Sequence, residues 1–154
     1  MTSLFDVLTS PAGLKFDQWL VKFSGYSLVN RVFARQSGIQ SRPALLLETR
    51  GRSSGLPRRA VLPYFCDGEK LVVVGSMGGA PVDPQWANNL RASGEARLWV
   101  ARRQLAVTVR EADGQDYERL WLMISQLVPV YIDYQSRCQA SRRIPIMVFS
   151  IAEK

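Results

Sequence analysis

The stretch VVVGSMGGAPVDPQWANNL, residues 72–90, runs from β-branched residues through a glycine-rich loop into the start of a helix. Val72, Val73 and Val74 read as strand, and Gly75, Gly78 and Gly79 free the backbone of the loop. Asp83 is expected as the N-cap, with Pro84 in the first helical position. Where a strand, a loop and a helix start meet, unpaired backbone N–H groups converge and can hold an anion. A second cluster supplies charge. RGRSSGLPRR gathers Arg50, Arg52, Arg58 and Arg59 within ten residues, with Ser53 and Ser54 as hydroxyl donors and Gly51 and Gly55 allowing backbone to approach a ligand. Such like charges repel one another, so the cluster suits either an anionic partner or a solvated hairpin tip.

Composition narrows the chemistry. The chain of 154 residues has no histidine and two cysteines, Cys66 and Cys138, far apart in sequence. Zinc sites and histidine-based triads are thereby excluded, and no metal is expected. Of 20 basic residues, 16 are arginine, and the net charge is +7. Arginine's planar fork suits phosphate and carboxylate. The strands offer no aromatic platform for stacked bases, so nucleic acid is not expected as a partner. No apolar stretch reaches bilayer length and no signal peptide is evident, which points to the cytoplasm.

These residues need a scaffold. Residues 14–35 place Phe16, Trp19, Leu20, Phe23 and Tyr26 at helical spacing, with Lys15, Asp17 and Lys22 off the stripe. That stripe fits burial against the chain's own domain, or peripheral contact with an anionic membrane surface. Gly25 marks a kink or break. From residue 43 the pattern turns to about six strands: ALLLETR, RRAVLPYF, KLVVVGS, EARLWV, QLAVTVREA and IPIMVFSI. A short helix from about residue 84 interrupts them. DYERLWLMISQLV sets Leu120, Met123, Ile124 and Leu127 on one helical face, ended by Pro129. Antiparallel strands with interrupting helices predict a small α+β fold, a β-barrel with helical covers. Residues 1–42 read as an N-terminal amphipathic helix and linker, and 43–154 as the barrel domain.

The run from LLLETRGRSSGLPRRAVLPYF through VGSMGGAPVDPQWANNL and YIDYQSR to RRIPIMVFSI resembles the deazaflavin-dependent nitroreductase family. Members are split-β-barrel oxidoreductases, FMN-binding split-barrel-like, that use coenzyme F-420. The resemblance implies that Arg52, Ser53, Ser54 and Arg58 hold phosphate and the oligoglutamate tail, with Arg59, Ala60, Val61, Leu62 and Pro63 continuing along the next strand. It implies that Val74, Gly75, Ser76 and Met77 lie beside the deazaflavin. Gln85, Trp86, Ala87, Asn88 and Asn89 follow from the family's P-x-W-x-x-N-L helix start. Tyr131 is implied to close the pocket, with Tyr134 one helical turn away. The family commonly has lysine at the position of Met77, and some members have tyrosine at the positions of Pro63 and Val128.

The implied reaction is hydride transfer from reduced coenzyme F-420 to an electron-poor small molecule such as a quinone, enone or nitroaromatic. Tyr131, Tyr134 and Ser76 are the candidates to supply a proton. Two other readings share the same barrel: a non-catalytic lipid- or cofactor-binding protein, and an FMN-dependent oxidoreductase.

Overall fold

The computed structural model describes residues 4–36, 38, 40–138 and 141–152. Its centre is one antiparallel sheet of seven strands: β1 (Ala44–Arg50), β2 (Pro57–Pro63), β3 (Phe65–Asp67), β4 (Lys70–Val74), β5 (Glu95–Val100), β6 (Arg103–Glu111) and β7 (Ile146–Ile151). The spatial order is β2-β1-β5-β6-β7-β4-β3. The stretch RRAVLPYF, expected as one strand, is therefore two. Up to Pro63 it pairs with β1, and from Phe65 it pairs with β4. These two strands are the opposite edges of the sheet, yet Tyr64 alone separates them. A flat seven-stranded sheet would put its edges about 29 Å apart, at about 4.8 Å per gap. One residue spans only about 3.5 Å. The sheet must therefore curl until its edges meet, and this makes the barrel.

Alternation along the strands divides the core. Leu45, Leu47, Val73, Met147 and Phe149 point into the barrel and meet Ala87 and Leu90 of α4 (Gln85–Ser93). Val72, Val74, Ile146 and Val148 point the other way, against α5 (Gly114–Leu127) and α6 (Val130–Cys138). The buried face of α5 is Tyr117, Leu120 and Ile124, with Met123 partly buried, whereas Leu127 is exposed, contrary to expectation. Three- and four-residue steps from Tyr117 would include Leu127, but the helix ends there, and Val128, four residues after Ile124, fills the cluster in its place.

Among the described residues the N-terminal segment forms three helices: α1 (Leu4–Thr9), α2 (Pro11–Ser24) and α3 (Leu28–Gln36). Gly25 ends α2 in the left-handed region at φ 74°. The buried Asp17 accepts hydrogen bonds from the Ser27 hydroxyl (2.6 Å) and the Leu28 N–H (2.7 Å). Its carboxylate thus sits at the N-terminus of α3, where the helix dipole favours it, and fixes that helix against α2. Val21 is fully buried with Ala44, Leu46 and Trp99, a contact worth about 1.5–3 kcal/mol. The aromatic stripe is not the packing face. Phe16, Trp19, Phe23 and Tyr26 are all more than half exposed. The helix does pack on its own domain, but through Asp17 and Val21.

Candidate active site

The β1–β2 turn builds the cationic end of the site. Gly51 donates to the Leu56 carbonyl (2.8 Å), and Gly55 to the Gly51 carbonyl (2.7 Å). A Cβ on Gly51 would stand 2.7 Å from the Ser54 hydroxyl, which would have to turn away, and 3.3 Å from the Leu56 carbonyl, so the turn favours glycine. Arg52 Nη1 donates to Gln85 Oε1 (2.7 Å) and to Asn89 Oδ1 (3.3 Å). The same Asn89 oxygen accepts from the Arg52 backbone N–H (3.2 Å), while its amide donates to Thr49 Oγ1 (3.1 Å). Buried Asn89 therefore ties the arginine turn to α4.

Beneath this turn lies a groove of about 460 Å³, lined by Arg52, Ser53, Ser54, Arg58, Arg59, Ala60, Gln85, Trp86 and Asn89. The four clustered arginines do not act alike. Arg59 is paired with Glu48 (2.8 Å), which also holds Arg97 (3.1 Å). Arg52 and Arg58 have no carboxylate partner among the described residues, and Arg58 makes one long bond, 3.4 Å, to Ser54. Arg50 lines a different surface, an open polar groove of about 800 Å³ along β1, β5 and β6 that contains neither Trp86 nor any tyrosine.

Trp86 also lines a second cavity, of about 410 Å³ and mostly apolar. Leu62, Pro63, Val74, Ser76, Met77, Tyr131 and Tyr134 line it, so the structure brings these together as expected from the sequence. Tyr131 packs edge-on against Phe65 (6.1 Å) and Tyr134 (5.9 Å). Burial, with the neighbouring Tyr134, pushes the Tyr131 hydroxyl up to about 12, and Arg42 pulls the other way. Tyr134 is likewise raised, by burial. At neutral pH both are hydrogen-bond donors that keep their protons.

Two contacts bring the glycine-rich loop to the tyrosines. Gly79 (φ 82°) lies so close to α6 that a Cβ would stand 2.7 Å from the Tyr134 carbonyl. Arg142 donates to the carbonyls of Gly75 (3.0 Å), Ser76 (2.7 Å) and Ala80 (2.8 Å), and to Asp83 (2.8 Å). Asp83 is thus not a helix cap. Pro84 occupies that position, and the Asp83 carboxylate joins Arg142 to Arg91. An ion pair with two guanidiniums outweighs one bond to a helix N–H.

Four expected residues line neither cavity. Val61 packs beside the cluster under α2, and Ala87 is fully buried in the barrel. Gly75 is held between Arg142 and Pro145, and Asn88 accepts from Arg91. Conversely, Asn30, Phe33 and Ala34 of α3, together with Arg42, line the apolar cavity and were not singled out from sequence. Their only sequence signals are the apolar side of α3 and an arginine placed just before Pro43.

A profile of the F-420H(2)-dependent quinone reductase family matches residues 28–150. An F-420H(2)-dependent quinone reductase of Mycobacterium tuberculosis (strain ATCC 25618 / H37Rv) is 32% identical over 149 residues, spanning 89% of this chain and 99% of that protein. The solved structure of a reductase dependent on reduced F-420 (FDR-A) is 30% identical with a TM-score of 0.63, over 71% of this chain and 95% of that one. A chain solved as a domain-swapped dimer is 28% identical, also with a TM-score of 0.63, over 78% of this chain and 92% of its own.

Proposed function

The chain belongs to the F-420H(2)-dependent quinone reductase family, and from that premise we propose that the groove holds the coenzyme's anionic tail while the apolar cavity, meeting it at Trp86, holds the coenzyme's ring system and the acceptor. The protein is a deazaflavin-dependent oxidoreductase with a quinone as hydride acceptor. Coenzyme F-420, an 8-hydroxy-5-deazaflavin, supplies that hydride from C5 when bound.

The observation that carries the reading is the continuity of a groove where Arg52 and Arg58 have no carboxylate partner among the described residues with an apolar cavity under two neutral tyrosines. Arg52 and Arg58, with the Ser53 and Ser54 hydroxyls, hold the anionic tail. Trp86, Val74 and the Ser76–Met77 backbone hold the flat ring system against Leu62 and Pro63. Tyr131 covers the acceptor and donates a hydrogen bond to its oxygen. Met77, where the family commonly has lysine, leaves this cavity without a cation on that side. Titration with oxidised and reduced F-420 beside FMN, followed by anaerobic turnover with a quinone, tests the reading. Tight binding of F-420 and quinone-dependent oxidation of the reduced coenzyme are expected. Binding of FMN alone, or no turnover, would overturn it.

The exposed stripe supports a second part of the proposal. Phe16, Trp19 and Phe23 form a contiguous ladder with centroids 6.0 and 5.1 Å apart, beside Lys15 and Lys22. No helix among the described residues is long and apolar enough to cross a membrane. We read residues 1–42 as the segment that meets the inner membrane face peripherally, and residues 43–154 as the coenzyme-binding barrel. Removing 1–42 outright would uncover Leu46 and Trp99 and open the cavity, so the test is substitution. Replacement of Phe16, Trp19 and Phe23 by serine is expected to abolish co-sedimentation with anionic vesicles while leaving turnover of a soluble quinone intact. Unchanged co-sedimentation would remove the membrane from the proposal.

A further inference from the structure

The apolar cavity contains one cation among the described residues, Arg42, and no carboxylate. The Arg42 guanidinium lies 4.3 Å from the centre of the Phe65 ring, and its Nε makes a single long bond to the Tyr64 carbonyl (3.4 Å). No carboxylate among the described residues pairs with it. Phe65 in turn packs edge-on against Tyr131, so cation and tyrosine flank the same ring. Asn30 also lines the cavity, and its Nδ2 is buried without a hydrogen-bond partner. Its Oδ1 has none among the described residues either, so turning the carboxamide about its soft χ2 breaks no bond and offers the cavity a donor. A buried, unsatisfied amide is costly to keep.

We propose that Arg42 and Asn30 form the polar end of the acceptor site, Asn30 orienting a quinone carbonyl and Arg42 holding the negative charge that arrives on the quinone oxygen. The inference rests on the reading of this cavity as the acceptor site. Hydride addition carries two electrons and one proton, and converts the quinone to the hydroquinone monoanion. One proton from water then completes the hydroquinone. The monoanion is a phenolate, with an ordinary pKa of about 10. Burial holds the Tyr131 proton in place, and the same burial disfavours a bare phenolate bound beside it. Tyr131 can share its proton with the oxyanion, and a fixed cation in the cavity stabilises the charge until water protonates the product. Besides Arg42, the groups facing the cavity are the neutral Tyr131 and Tyr134, with Tyr64 beside Arg42, Asp133 near Tyr134, and Arg137 over the Tyr134 ring at 5.5 Å.

The test uses 4-nitrophenol, whose ionised form is yellow and which needs no coenzyme to bind. Bound to the parent protein, it should ionise at lower pH than when free. Arg42→Met should abolish that shift and Arg42→Lys restore part of it. In turnover, Arg42→Met should lower kcat for unsubstituted benzoquinone by about a hundredfold, the size of a lost oxyanion donor. The loss should be smaller for a quinone with electron-withdrawing substituents, whose reduced oxyanion is less basic. Asn30→Leu should raise KM for the quinone about tenfold while leaving the melting temperature equal or higher. A parent protein that does not shift the nitrophenol, or an Arg42→Met loss equal for both quinones, would overturn the proposal. A parent that shifts nitrophenol yet shows no F-420-dependent turnover would overturn the proposed function and leave the anion site standing.

Discussion

The groove under the β1–β2 turn takes most of its lining from residues 51–60, with Gln85, Trp86 and Asn89 added from α4. The cavity beyond Trp86 draws instead on α3, Arg42, β2, β4, the loop after β4 and α6, segments spread from Asn30 to Tyr134. The groove is polar and local, and by its chemistry can contribute affinity for an anion. The cavity is mostly apolar and assembled at long range, and there a hydrogen bond or charge acts at lower dielectric than at the surface. Substitutions in the first should change how tightly the coenzyme is held, and substitutions in the second should change how fast it reacts.

The sharpest test of that division is Tyr131→Phe. It keeps the covering ring and removes only the hydroxyl, so coenzyme affinity should stay level while turnover falls about 10²–10³-fold. Isothermal titration beside steady-state kinetics reads both quantities. A loss of affinity without a loss of rate would invert the assignment.

Arg142 holds the loop that lines the cavity, and its side chain is only 8% exposed in its pair with Asp83. Arg142→Met should destabilise the fold by nearly 3 kcal/mol, the lower end of the about 3–5 kcal/mol for a broken buried pair, because Arg91 still faces Asp83. Urea unfolding measures this. Turnover should fall with it as Ser76 and Met77 lose their support.

Alkaline pH probes the cavity without a ligand. The folded chain holds the Tyr131 proton to about 12, against an ordinary value near 10. Below about pH 10 both folded and unfolded chains are protonated, and the contribution is complete. From there to about pH 12 the unfolded chain loses its proton first, and stability falls by roughly 3 kcal/mol at most. The Tyr131→Phe variant should show a shallower decline in urea midpoint over that range. Tyr64, Tyr117 and Tyr134, also raised by burial, retain part of the slope.

The smallest effects separate the arginines. Arg52→Ala or Arg58→Ala should each cost about 1.5–3 kcal/mol of coenzyme binding, since each bonds an anion directly. Added salt should weaken the exposed part of that attraction. Arg59→Ala should cost about 1 kcal/mol or less, because its guanidinium is already committed to Glu48 at the surface. Equal losses at Arg58 and Arg59 would show that the groove senses only total charge.

That last contrast also marks where reading the chain stopped. The glycine-tight turn, the strand alternation, the helix start at Pro84 and the α5 period were legible because each depends on residues a few positions apart. The absence of histidine decided as directly what chemistry to leave out. With the motif order, these determined the fold class, the family and a set of residues that largely falls on the two cavities. Other features needed the tertiary structure. RRAVLPYF divides at Tyr64 because the sheet curls and its two edges claim opposite halves of the stretch. Arg59 lines the anion groove but commits its guanidinium to Glu48, which β1 places beside it. The face of α2 that packs is Asp17 and Val21 rather than the aromatic stripe, since the sheet beneath offers Leu46 and Trp99. Asn30 and Arg42 reach the cavity only because Asp17 pins α3 and the chain then enters β1 beside Phe65. Periodicity records which residues share a face, but the partner that covers a face is chosen by contacts between segments far apart in the chain.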